Sequence, residues 1–204
     1  GHRFRSNTDS EVILHGYEEY GIDVVNHLRG MFGFALYDTV RKRLLLARDR
    51  IGIKPLYYTR QNGRLVFGSE IKSILQDPGV ERQVNHQALY DYLGFEFVPS
   101  PATMFAGISK LPAGHLLVWE NGQASVRRYW DLSFRPAAPM PRFEEAVEQL
   151  REHLDTAVRS HLVSDVPLGV FLSGGLDSSC LVALMRRHIS GPLKTFTIGY
   201  EDKT

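Results

Sequence analysis

Seven consecutive residues, Ser173-Gly174-Gly175-Leu176-Asp177-Ser178-Ser179, constrain the fold of this 204-residue chain more than any other feature. They stand between a short apolar run at 167–172 and a helical pattern running from Leu176 to His188, and a second strand-like run follows at 194–200. Strand, turn, helix and strand in so short a stretch make a βαβ unit, whose two strands must lie parallel. The chain therefore ends in the start of an α/β domain built on a parallel sheet.

The residues before it follow a different pattern. Runs at 31–38, 43–48, 55–58 and 64–68 are rich in aromatic and aliphatic side chains and are separated by Asp, Gly or Asn, as strands are. Asn62-Gly63 separates one pair of such runs, and Asn121-Gly122 separates a later pair at 115–119 and 125–129. Each is a hairpin signal. One mostly antiparallel sheet is expected, flanked by helices at Ser10–Tyr20 and 85–93, which makes this portion α+β. The stretch Arg135-Pro136-Ala137-Ala138-Pro139-Met140-Pro141 carries three prolines and suits neither helix nor inner strand. Beyond it Phe143, Ala146, Val147, Leu150, Leu154, Ala157, Val158 and Leu162 keep a helical stripe, with acids in the first turn and Arg159 and His161 in the last. The expected division is residues 1–134 for the first domain, 135–142 for a linker and 143–204 for the second, with no internal repeat.

The seven-residue turn has the chemistry of a phosphate cradle. Its glycines let backbone approach an anion, the helix start offers free N–H groups and a positive dipole end, and Ser173, Ser178 and Ser179 add hydroxyls. It lacks the lysine of the P-loop and the G-x-G-x-x-G spacing of dinucleotide folds. Asp177 places a carboxylate beside the bound phosphates, which is repulsive unless a divalent cation lies between. Mg²⁺ with ATP or pyrophosphate follows. Taken without its context, the same string is a Ser/Gly-rich turn with Asp177 as a first-turn helix acid; the complete string in a strand-turn-helix setting favours the cradle.

Composition closes off other classes. The net charge of +1 gives no bulk-charge argument for nucleic-acid binding, and 43% hydrophobic with 23% charged residues is the balance of a globular protein rather than a disordered one. The single cysteine, Cys180, cannot form an internal disulfide, and no Cys/His spacing fits zinc, so a reducing cytoplasm is expected. No apolar run is long enough for a membrane span, and no leader pattern opens the chain. With Gly1 first and Glu201-Asp202-Lys203-Thr204 trailing a strand-like run, the chain reads as a segment of a longer protein.

The string SGGLDSS, preceded by Asp165-Val166-Pro167-Leu168-Gly169-Val170-Phe171-Leu172, resembles the pyrophosphate loop of ATP-pyrophosphatase-type enzymes in the form found in glutamine-hydrolysing asparagine synthetases. The first half supports the same family. Thr8-Asp9-Ser10-Glu11-Val12-Ile13-Leu14, Leu28-Arg29-Gly30-Met31-Phe32-Gly33-Phe34-Ala35 and the run from Ala47-Arg48-Asp49-Arg50 through Ile51-Gly52-Ile53-Lys54-Pro55-Leu56 resemble the later part of a class II, Ntn-type glutamine amidotransferase domain. Ser69-Glu70-Ile71-Lys72-Ser73 and Lys110-Leu111-Pro112-Ala113-Gly114-His115 fit the synthetase version, so the resemblance covers nearly the whole chain.

The resemblance implies an activity in two halves. Ammonia released from glutamine attacks an acyl-adenylate made from ATP and a carboxylate, giving an amide, AMP and pyrophosphate. Aspartate is the implied acceptor, with ATP and Mg²⁺ required; a polysaccharide-modifying or β-lactam-forming relative, or a scaffold that lost its chemistry, are the alternatives. It assigns Leu172, Ser173, Gly174, Gly175, Leu176, Asp177, Ser178, Ser179 and Ile198 to ATP and pyrophosphate, with Leu172 and Ile198 near the adenine and Asp177 on the metal. Asp9 matches the aspartate that takes the α-ammonium of glutamine, and the same residue also reads as a helix N-cap. The family's nucleophile is an N-terminal cysteine, expected upstream of Gly1, so residues 1–204 alone are expected to be inactive. A homodimer without nucleic-acid or membrane partners is the implied assembly. Arg48, Asp49, Arg50 and Lys54 read as a paired charge network holding a turn, Cys180 as a small buried hydrophobe, and the histidines as core or surface residues.

Overall fold

The computed structural model describes residues 1–135 and 139–199. Part of the expected linker at 135–142 and the end of the expected strand at 194–200 fall outside them. The chain divides into two compact units, Gly1–Ser133 and Phe134–Thr204. No helix among the described residues is long and apolar enough to cross a membrane.

In the first unit, α1 (Ser10–Tyr20) runs into a 3₁₀ turn (Gly21–Asn26), followed by strands β1 (Gly33–Asp38), β2 (Arg43–Arg48), β3 (Tyr57–Gln61) and β4 (Arg64–Gly68). A short α2 (Ile71–Ile74), α3 (His86–Phe95), β5 (Ile108–Lys110), β6 (His115–Glu120) and β7 (Gln123–Arg128) complete it. The strands form two antiparallel sheets, β1-β2-β6-β7 and β4-β3-β5, where the sequence led us to expect one. The second sheet depends on β5, whose three residues pair with Tyr57, Tyr58 and Thr59. So short a strand shows no alternation, and only its partner's edge defines it.

Both hairpin turns form as their sequences require. Asn62 and Gly63 take φ of 52° and 71°, and Asn121 and Gly122 take 52° and 76°, the left-handed pair of a two-residue loop that matches strand twist. The middle of β2 explains why its sequence is a continuous apolar run. Leu45 and Ala47 pack with Val24, Val25, Leu36 and Leu116, whereas Leu46 faces the other way onto Leu56, Leu111 and Leu117. A strand covered on both faces has no polar side to show. Ile13 and Tyr17 of α1 lie against the first cluster, while Val12 and Tyr20 stay about half exposed.

In the second unit, α4 (Phe143–His161), β8 (Gly169–Phe171), α5 (Leu176–His188) and β9 (Lys194–Phe196) follow the order expected of a βαβ segment. β8 and β9 pair in parallel, Gly169 opposite Lys194 and Phe171 opposite Phe196. Asp155 of α4 receives Arg187 at 3.2 Å and His188 at 3.0 Å from the end of α5. Among the described residues here only Val158 and Leu184 are buried, and Phe143, Leu150, Phe171, Leu176 and Ile198 are all well exposed. Cys180, expected to be buried, is exposed: it lies one turn before Leu184, toward the open start of α5. The fold class is thus α+β with antiparallel sheets, followed by an α/β segment with parallel strands.

Candidate functional site

The first unit holds an open cavity of about 530 Å³ between the start of α1, the segment before β1 and the segment before β3. Asp9 and Ile13 line one side, Leu28 and Arg29 a second, and Lys54 and Ser69 a third. The sides are fixed by the charged run Arg48-Asp49-Arg50. Arg48 donates to the carbonyls of Gly52 at 2.7 Å, Lys54 at 2.8 Å and Leu111 at 2.8 Å. Asp49, almost fully buried, accepts from the backbone N–H of Ile53 and of Lys54, both at 2.9 Å. Arg50 reaches across to the carbonyl of Leu28 at 2.8 Å. Burial pushes the Asp49 carboxyl upward, but the amide donors outweigh it and leave the group below its ordinary value. The run does hold a turn, as expected, although it does so through backbone groups rather than by pairing its charges with one another. Such groups are what a charged side chain must find when no counter-ion is buried with it.

Asp9 immediately precedes α1, but its carboxylate caps no amide of that helix. Its side chain has only a 3.5 Å contact from the Ser10 hydroxyl and no ion pair among the described residues. The acid that ties down the approach to α1 is Glu11, which accepts from the N–H of Arg5 and of Ser6 at 2.7 Å each. The capping reading of Asp9 therefore has no hydrogen bond behind it, and an unpartnered carboxylate borders a cavity whose other sides carry Arg29 and Lys54. An amphoteric pocket of this kind suits a zwitterion. Lys54 stood in the sequence only as part of the charge network, and Arg29 and Ser69 only within longer strings; none was read as a pocket residue, since they come from three separate segments.

In the second unit the seven-residue turn bridges β8 and α5. Gly174 sits at φ 81°, a conformation that disfavours any side chain, and an added Cβ there would meet nothing. Gly175 then starts the helix, and the first-turn amides of Leu176, Asp177 and Ser178 have no carbonyl one turn earlier to bond. The Ser173 and Ser178 hydroxyls lie 3.1 Å apart, and Ser178 also donates to the Gly175 carbonyl at 3.1 Å. Leu172 is tied to β9 by its N–H to the Phe196 carbonyl at 2.8 Å and by the Thr197 hydroxyl to its own carbonyl at 2.7 Å. This brings Leu172 and exposed Ile198 to the same carboxyl ends of the parallel pair, where α/β sheets bind ligands. Asp177 and Ser179 are exposed in the first turn, and Asp177 has no ion pair among the described residues. Open space over Gly174, unsatisfied first-turn amides and a free carboxylate fit a polyphosphate with a divalent cation.

Comparison with known proteins agrees with both halves. Residues 1–130 match the family model of the glutamine amidotransferase domain, and residues 149–204 match that of asparagine synthase. A protein named asparagine synthetase [glutamine-hydrolyzing] 3 from Bacillus subtilis is 39% identical over 99% of this chain and 33% of its own length. Asparagine synthetase [glutamine-hydrolyzing] 1 of the same organism is 36% identical over 100% of this chain and 32% of its own. A Gibberella zeae protein named amidase chry2 is 38% identical over 92% of this chain and 28% of its own. The chain spans about a third of the length of these curated relatives. With more than half of its residues matched, the chain belongs to the glutamine amidotransferase domain family, and it continues into an asparagine synthase segment.

Proposed function

We propose that the protein makes a carboxamide by transferring ammonia from glutamine to a carboxylate activated with ATP, and that the acceptor is aspartate. The observation that carries this reading is the pairing, in one chain, of the amphoteric cavity at Asp9 with the glycine-rich turn at 173–179. In the first unit Asp9 takes the α-ammonium of glutamine as a charge-assisted hydrogen-bond acceptor. A cysteine thiol of the family type, expected upstream of Gly1, attacks the side-chain amide; the carbon–nitrogen bond breaks, ammonia leaves and a thioester remains for water to hydrolyse. Cys180 is not assigned that task, because it lies on α5 of the other unit.

In the second unit the acceptor carboxylate attacks the α-phosphorus of ATP and pyrophosphate departs. Ammonia then displaces AMP from the acyl-adenylate to leave the amide. The first-turn amides of α5 and the hydroxyls of Ser173, Ser178 and Ser179 hold the departing pyrophosphate, and Gly174 and Gly175 let it approach the backbone. Leu172 and Ile198 offer apolar contact to the adenine, and Asp177 orients Mg²⁺. When bound, the cation offsets negative charge on the phosphates. A cytoplasmic homodimer is the setting we propose.

The test is to supply the full-length gene product with ATP, Mg²⁺, aspartate and amide-¹⁵N glutamine, and to follow AMP and labelled asparagine together. Aspartate-dependent AMP with labelled asparagine supports both halves. AMP formed only with another carboxylate keeps the chemistry and replaces the acceptor, and the similarity to the protein named amidase chry2 makes that arm necessary. AMP formed with no acceptor tried overturns the reading.

A further inference from the structure

Three acids and a histidine lie on one face of α1. Glu11, His15, Glu18 and Glu19 fall at successive turns, and the segment before α1 folds back so that His2 joins them. The His2 and His15 rings stack at 4.6 Å, and Phe4 packs edge-on against His15 at 4.9 Å. Both Nδ1 atoms converge on the same oxygen, Oε2 of Glu18, His2 at 3.0 Å and His15 at 2.9 Å. Each ring then presents its other nitrogen to a different carboxylate: His2 Nε2 lies 2.8 Å from Glu19, and His15 Nε2 lies 3.3 Å from Glu11. Glu11 is itself fixed by the N–H groups of Arg5 and Ser6 and by the Ser6 hydroxyl.

This arrangement holds more acceptors than donors. A neutral imidazole carries one N–H, so two neutral rings satisfy two of these four contacts and leave two lone pairs facing carboxylate oxygens. A second proton on each ring, or one metal cation at the point where the two Nδ1 atoms and Oε2 meet, removes the mismatch. We propose that His2, His15 and Glu18 bind one divalent cation of the zinc type, with Glu19 and Glu11 as the outer carboxylates that orient the two rings. Two nitrogens and one carboxylate oxygen are a ligand set zinc accepts, with a fourth position left for water. Ligands at zinc distances stand about 3.3 Å apart, so the two edges at Glu18 need to open only slightly. A carboxylate behind each ligating imidazole is the usual outer shell of such a site. The cation would fasten residues 1–7 to the helix whose first turn borders the Asp9 cavity.

The site is tested on the full-length gene product, stripped with a chelator and titrated with Zn²⁺ against a chromophoric competitor at neutral pH. One equivalent is expected to bind, and the two imidazole Nδ1 resonances of His2 and His15 are expected to shift rather than the Nε2 resonances. His2→Ala and His15→Ala should each abolish the tight equivalent. Glu18→Gln, at an exposed position that helix formation does not depend on, should weaken it with the circular dichroism unchanged. Glu19→Gln should weaken it by about tenfold, as loss of an outer carboxylate does. The proposal is overturned if no equivalent binds, if Glu18→Gln leaves the affinity intact, or if binding is lost instead with Cys180→Ser or with His27→Ala.

Discussion

The hydroxyl of Tyr129 donates to the main-chain carbonyl of Arg48 at 2.7 Å, joining the end of β7 to the last residue of β2. That residue's side chain supports the turn beside the Asp9 cavity, so the bond braces the cavity from behind. Burial pushes the phenol up to about 12, which keeps it a donor throughout the physiological range. Tyr129→Phe is expected to lower stability by about 1 kcal/mol, the net worth of one such bond, read from the urea midpoint of the chain. An unchanged midpoint would show the bond to be incidental.

Asp49 is the stronger support. Asp49→Ala removes the charged acceptor of the Ile53 and Lys54 N–H groups, in residues that are themselves exposed, and a bond to a charged group is worth about 1.5–3 kcal/mol. The expected signature is faster hydrogen exchange at those two amides, together with a loss of stability larger than that of Tyr129→Phe. Equal protection in the variant would mean that other acceptors hold the turn.

Because Asp9 caps nothing, its replacement separates ligand binding from folding. Asp9→Asn should leave the melting temperature within error, since substitutions away from caps and cores move stability by about 0.5 kcal/mol or less. Glutamine use in the full-length protein should fall by about tenfold to a hundredfold, as loss of a charge-assisted hydrogen bond does, while free ammonia remains usable. Equal loss with both nitrogen sources would argue for a structural role.

Asp177→Ala should abolish AMP formation by the full-length protein and spare glutamine hydrolysis, since the two activities are proposed to reside in separate units. AMP formed at the parent rate would remove Asp177 from the metal.

Asp38 sets an acid limit. The N–H of Arg41 holds its carboxyl at about 2 against the cost of desolvation, helped by the Arg41 guanidinium, the Tyr17 hydroxyl and the N–H of Val40. The folded value lies below the ordinary 3.8, so the stability this carboxylate contributes is complete above the unfolded value and is lost as pH falls toward about 2. Asp38→Asn should flatten that part of the stability profile; an unaltered slope would place the acid sensitivity elsewhere.

Local signals account for much of the fold. Helix periodicity marked out α1 at Ser10–Tyr20, and the Asn-Gly pairs placed both hairpins, because a left-handed turn leaves few alternatives. The helix expected from residue 85 does start there, and the Asn85 side chain caps it by accepting from the Ala88 N–H at 3.2 Å. What escaped is non-local. β5 is too short to show a period, and Arg29, Lys54 and Ser69 meet Asp9 only after the chain has folded. His2 and His15 have no metal-ligand spacing in the sequence; they meet because Glu11 turns the preceding segment back along α1. Cys180 misled for the opposite reason: its helical stripe is genuine, but only the turn around Leu184 is covered.

The pairing of β2 with β6, Leu45 opposite Val118 and Leu46 opposite Leu117, also governs how the first unit is made. Contacts so far apart in sequence form slowly, because a long loop must close before they contribute. On the ribosome Leu44, Leu45 and Leu46 emerge well before Leu116 and Leu117, and for that interval an apolar strand has one neighbour and an open edge. Expression yield should therefore respond more to chaperone supply and growth temperature than to the stability of the finished unit.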